Sequence, residues 1–139
     1  MRFQLAKLVI GAAALAGCSE PQRKLVGKAI SPDGKMALAL YHEVPGSIID
    51  DRLVLTIATP TAEYSADDSV AGISVASHLR AYWTPDGRPA LLARSLEGWV
   101  NSEGPNPLRV CIGAANDCAN LDLPLRKIEV QNYRSAESG

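Results

Sequence analysis

Phenylalanine is nearly missing from this chain, with one residue in 139, and aromatic residues of every kind make up only 5%. A core built from it must rest on Leu, Val, Ile and Ala. Histidine is scarce as well, with two residues, so any imidazole or histidine–metal chemistry falls to His42 and His78. A basic surplus is absent too: 14 Lys and Arg stand against 15 Asp and Glu, for a formal charge of −1. Displacing counterions from phosphates needs such a surplus, so the composition argues against a nucleic-acid partner. The N-terminal apolar run, Leu8 to Gly17, is ten residues long, half of the roughly 20 that a membrane-spanning helix requires. What remains is ordinary: 47% hydrophobic and 21% charged residues describe a folded chain, not a disordered one. The length suits one domain, alone or with a processing segment, and such a domain can bury a core without disulfides. The three cysteines are an odd number that needs an explanation.

Met1 to Lys7 carries Arg2 and Lys7 and no acid. A basic start followed by a short apolar run reads as a secretory signal. The run ends in Leu15-Ala16-Gly17-Cys18, which resembles the lipobox of bacterial lipoprotein precursors at all four positions. The resemblance implies cleavage between Gly17 and Cys18, lipid transfer to the Cys18 thiol and acylation of the new amino terminus. The alternative is an ordinary signal cut near Ala12-Ala13-Ala14, with Cys18 a bystander. Two or more acyl chains give stable anchoring where one gives only reversible binding. The expected partner is therefore a lipid bilayer, reached through acylated Cys18. Ser19 stands where an Asp often marks inner-membrane retention in such lipoproteins, so the outer membrane, on its periplasmic side, is the expected address. Loss of Arg2 and Lys7 takes the charge of the mature chain to −3.

Residues 18–24 read as the lipidated terminus and a polar tether, 25–133 as a globular domain and 134–139 as a frayed tail. Within the domain, short apolar runs alternate with turn signals, the pattern of antiparallel β structure. Strands are expected at 25–30, 35–44, 52–59, 78–84, 88–95, 108–112, 121–125 and 127–133. On the second, Met36, Leu38, Leu40 and His42 share one face and Ala37, Ala39, Tyr41 and Glu43 the other. Residues 61–77 are ambiguous: Asp67 and Asp68 suit the start of a short helix near 66–76, but Gly72, Ile73 and Val75 favour irregular structure leading into a strand. The expected fold is mainly β, with seven or eight strands in a small antiparallel sandwich, a partly open barrel or a meander.

Two segments, Ser31-Pro32-Asp33-Gly34-Lys35 and Thr84-Pro85-Asp86-Gly87-Arg88, are turns with a mechanism. Proline presets φ, aspartate bonds locally to backbone, and glycine accepts positive φ. Both resemble the S-P-D-G-[KR] turn of TolB-type β-propeller blades. They lie 53 residues apart, farther than a blade of about 40–45 residues allows, and two blades cannot close a ring. The resemblance implies a strand–turn–strand element. The chain is also similar to short proteobacterial lipoproteins whose mature domain opens with S-P-D-G-K, a likeness that brings no activity.

With Cys18 lipidated, Cys111 and Cys118 remain, separated by six turn-prone residues. Export favours a disulfide between them, closing a ring worth about 2.5 kcal/mol by the chain-entropy model. Metal and redox motifs space their cysteines more closely. No metal site is expected: His42 and Glu43 are neighbours on a strand and point to opposite faces, and Asp50-Asp51 sits in a loop where acids are usually solvated. No catalytic residue is expected either. Gly72-Ile73-Ser74-Val75-Ala76 lacks the last glycine of a nucleophile elbow, and no phosphate- or dinucleotide-binding loop, hence no cofactor, is evident. Tyr41, Tyr82, Trp83 and Trp99 are candidates for an exposed binding face or simply the largest core residues. Trp83, beside a turn on an alternating strand, reads as core, whereas Trp99 stays open.

These readings lead to an envelope lipoprotein acting as a non-enzymatic binding or accessory module, with an envelope protein as a possible partner. The alternative is an inhibitor or immunity protein similar to the membrane-bound lysozyme inhibitors, whose S-G-x-K-Y-type signature is missing here. An envelope hydrolase is the third reading, without a visible constellation of residues to support it.

Overall fold

The computed structural model describes residues 22–44, 51–101, 103–104, 107–113 and 126–135. Cys18, its cleavage site and Cys118 lie outside them, as do Asp50 and the expected strand at 121–125. Among the described residues eight strands form one mixed sheet that does not close into a barrel. They are β1 (Gln22–Ile30), β2 (Ala37–Val44), β3 (Arg52–Ala58), β4 (Ser69–Trp83), β5 (Pro89–Ala93), β6 (Ser95–Val100), β7 (Arg109–Ile112) and β8 (Lys127–Arg134). The expectation of a mainly β fold holds. Among the described residues no helix is long and apolar enough to cross a membrane.

Fifteen-residue β4 is the spine of the molecule. Along its first half it pairs with β3 on one edge and β6 on the other; along its second half β8 and β5 take those places. The sheet folds about this strand, so that β1 lies against β8 and β4. The inner face of β1–β3 contributes Leu38, Leu40, Leu53 and Leu55 to the core, which closes against Leu79, Ala81, Trp83, Leu91 and Ile128. Gly27 lets β1 approach: a Cβ there would sit 2.8 Å from the Ile128 side chain. Burying such aliphatic side chains contributes roughly 1.5–3 kcal/mol each.

The two Pro-Asp-Gly turns share their inner hydrogen bond and differ by one residue in the bond that closes them. In the first, the Gly34 amide donates to the Ser31 carbonyl at 2.9 Å, and the Ser31 amide to the Met36 carbonyl at 2.8 Å. In the second, the Gly87 amide donates to the Thr84 carbonyl at 2.9 Å, and the Thr84 amide to the Arg88 carbonyl at 2.8 Å. Each glycine has the positive φ that the turn demands, 78° and 85°. The Ser31 hydroxyl donates to the Asp33 carboxylate at 2.6 Å, and the Thr84 hydroxyl does the same for Asp86. These hydroxyls are the main cause holding both carboxyls below their ordinary range. Trp83 links the two hairpins, its indole N–H donating to the Ala29 carbonyl at 2.8 Å.

Several expectations are corrected. The short helix near 66–76 is a single 3-10 turn, Ala66–Asp68; the β-branched residues beyond it enter β4 at Ser69. The tether ends sooner, because β1 begins at Gln22 and pairs it with Val44. The tail begins later: Arg134 pairs with Val75, and Ser135 is buried with its amide on the Ser74 carbonyl at 3.0 Å. The sheet is not wholly antiparallel, since β7 runs parallel to β5. Finally, β6 begins at Ser95, where the expected strand 88–95 ends, and adds a strand over Leu96 to Val100 that was not among those expected. One further feature eluded the sequence pattern: His78, exposed within β4, has φ 52°. Histidine is among the few side chains that enter that region with any frequency, and it sits where β4 exchanges β6 for β5 as its partner.

Candidate functional site

The outer face of β1–β3 continues across β4 to β6, and directly paired residues share that face. One row crosses five strands: Leu25 opposite Tyr41, Tyr41 opposite Val54, Val54 opposite Gly72, and Gly72 opposite Trp99. Neighbouring strands are about 4.8 Å apart, so the row is about 19 Å long. Its middle is covered: Val54 is 2% exposed and Gly72 is buried. Trp99 fills the space that Gly72 leaves. A Cβ on Gly72 would lie 2.2 Å from the indole nitrogen, so the ring rests on bare backbone while the residue stays 46% exposed. Gly98 makes this approach possible: its φ is +151°, and a Cβ there would fall 2.0 Å from the Gly72 carbonyl oxygen.

The next row holds the charges, Arg52 opposite Glu43 opposite Arg23. Glu43 is buried, and its carboxylate accepts from Arg23 Nε at 2.8 Å and from Arg52 Nε at 2.9 Å. A second Arg52 nitrogen lies 2.8 Å from the same carboxylate. Two guanidiniums thus share one acid, and the cluster keeps one net positive charge. The loop after β3 adds Tyr64, whose ring lies 3.9 Å from the Arg23 guanidinium carbon and stacks edge-on against Tyr41 at 5.2 Å. Cation–π contact of this kind holds the arginine in place without removing its charge. Burial lowers the Arg23 pKa, but the Glu43 hydrogen bond and the Tyr64 and Glu43 charges outweigh it, and the net direction is up. The result is a surface in which Tyr41 and Tyr64 are half-buried and Trp99 is exposed, beside a cationic strip.

A separate pair lies on the other face. The His42 Nε2 atom is 2.5 Å from an Asp51 carboxylate oxygen, and the imidazole meets Tyr133 of β8 edge-on at 6.0 Å. His42 and Glu43 do point to opposite faces, as strand alternation requires. The expectation of a solvated Asp51 is corrected, because its side chain is only 17% exposed and engaged with His42. Among the described residues no three His, Cys, Asp or Glu side chains group as metal ligands.

The four aromatics considered from the sequence separate. Trp83 and Tyr82 are core at 2% and 4% exposure, Tyr41 is half-buried on the platform, and Trp99 is exposed beside it. Ser74 donates its hydroxyl to the Glu97 carbonyl at 3.2 Å. Cys111 is half-buried on β7 and its sulfur is engaged. Arg23, Glu43, Arg52 and Tyr64 were not legible as a group, since their assembly depends on strand register. The adjacent Gly98-Trp99 was the one local signal for the platform. Comparison with family models, with curated proteins and with solved structures finds no match to this chain.

Proposed function

We propose that the protein is a lipid-anchored component of the bacterial envelope that works as a non-enzymatic binding module, with the Tyr41–Trp99 face as its recognition surface. The observation that supports this reading best is Trp99, whose indole packs onto Gly72 while the residue stays 46% exposed. An indole held that way presents a large rigid contact at little entropic cost, and Trp, Tyr and Arg are the residues that dominate protein interfaces. The cationic strip adds a preference for an acidic partner. The anchor at Cys18 and the outer-membrane address come from the N-terminal sequence.

The recognition surface is tested by placing a photoreactive phenylalanine analogue at Tyr64 and irradiating intact cells. One discrete adduct is expected, lost at least tenfold in Trp99→Ala and in Gly72→Ala, whose new methyl displaces the indole. No adduct, or one indifferent to both substitutions, would reject the surface. The anchor is tested by Cys18→Ser, which should abolish acylation and release the protein from the membrane fraction; unchanged fractionation refutes it. Cys111 and Cys118 are proposed as a disulfide. Both should resist thiol labelling in the denatured, unreduced protein and label fully after reduction, whereas labelling before reduction defeats the pair.

A further inference from the structure

We propose that β1 lies along the membrane surface and binds anionic phospholipid headgroups, as a second attachment beside the acyl chains. The proposal rests on the anchor at Cys18. Three residues separate Cys18 from Gln22, where β1 begins, so the start of the strand, four residue steps on, lies within about 14 Å of the anchor when the chain is fully extended. Among the described strands β1 pairs only with β2 and stands at one end of the strand order. It carries Arg23, Lys24 and Lys28 and no acid; Arg23 is held by Glu43 and Lys28 donates to the Pro60 carbonyl at 2.5 Å, and both keep their charge. Leu25, Val26 and the adjoining Val44 are 48%, 45% and 42% exposed. Basic side chains interleaved with open aliphatic ones match an anionic headgroup layer above an acyl boundary. A bilayer at this edge also places Trp99 about four strand spacings, some 19 Å, away from it, turned toward the aqueous compartment.

The test uses the full chain, purified from membranes and incorporated into vesicles of phosphatidylcholine alone or with one-third phosphatidylglycerol. Exposed amines are labelled with a water-soluble reagent and read site by site by mass spectrometry. Lys24 and Lys28 should label at least fivefold more slowly on the anionic vesicles, with Lys127 equal on both. Equal rates at Lys24 and Lys28 on the two compositions overturn the proposal. The same slowing by soluble polyglutamate without vesicles also overturns it, by assigning the strand to an acidic polymer. The anchor has its own readout, the mass of the N-terminal peptide. If Cys18 carries no lipid, the anchor reading fails alone, and β1 is then tested by co-flotation of the unacylated chain with anionic vesicles. There, Lys24→Gln with Lys28→Gln should lower partitioning about 25-fold, at about fivefold per lysine, and an unchanged partition rejects the contact.

Discussion

Replacing Trp83 with alanine is expected to destabilise the domain by about 3–5 kcal/mol, the cost of emptying a large buried aromatic site. Trp83 is 2% exposed, contacts the core formed by both halves of the folded sheet, and donates its indole N–H to Ala29 at 2.8 Å. Two losses therefore coincide: the apolar volume, and the partner of a carbonyl on β1. Trp83→Phe separates them. It keeps most of the apolar contact and removes the hydrogen bond, at an expected cost of about 1–3 kcal/mol. Urea denaturation of the two variants and the parent gives both numbers. A loss below about 1 kcal/mol for Trp83→Ala would mean that β1 is not held to β4 through this side chain.

Gly98→Ala is the second large effect, about 2–4 kcal/mol, because backbone strain and a collision add at one position. Its φ of +151° is a conformation that side chains rarely enter, and the added carbon would fall 2.0 Å from the Gly72 carbonyl oxygen and 2.9 Å from Ile73 Cα. The obstruction is backbone, which cannot rotate away. Gly34 and Gly87 provide the contrast, with positive φ but open space around the missing Cβ. Alanine at either should cost only about 1 kcal/mol, from conformation alone. Gly72→Ala differs again: its new methyl meets the indole of Trp99, a side chain able to swing outward. Binding should suffer there more than stability. Removing the indole as well, in Gly98→Ala/Trp99→Ala, should leave the Gly98→Ala loss unrepaired. Recovery of stability in that double variant would show that the side chain, not the Gly72 backbone, forms the obstacle.

Local chemistry carried much of the fold. The Pro-Asp-Gly turns announce two hairpins because their φ requirements are met within five residues, and both hairpins are present. Alternation placed Leu38 and Leu40 inside, since the period of a strand is a local property. The reading weakened wherever a segment's structure depends on a remote partner. Residues 69–77 carry a glycine and mixed side chains, and they extend only because β3, β6 and β8 supply hydrogen bonds on both edges. Likewise Gly98 looks like a strand breaker in sequence, yet it is the residue that allows β6 to approach β4.

By itself, then, the amino-acid sequence determined a mainly β domain, its two hairpin turns and its aliphatic core residues. Each depends on neighbours within a few positions. Tertiary structure alone decided the rest: the parallel placement of β7, the arginines gathered around Glu43, the His42–Asp51 pair, and a row from Leu25 to Trp99 drawn from five separate strands. Register sets these, and register comes from the pairing energy of the whole sheet, which no short segment encodes.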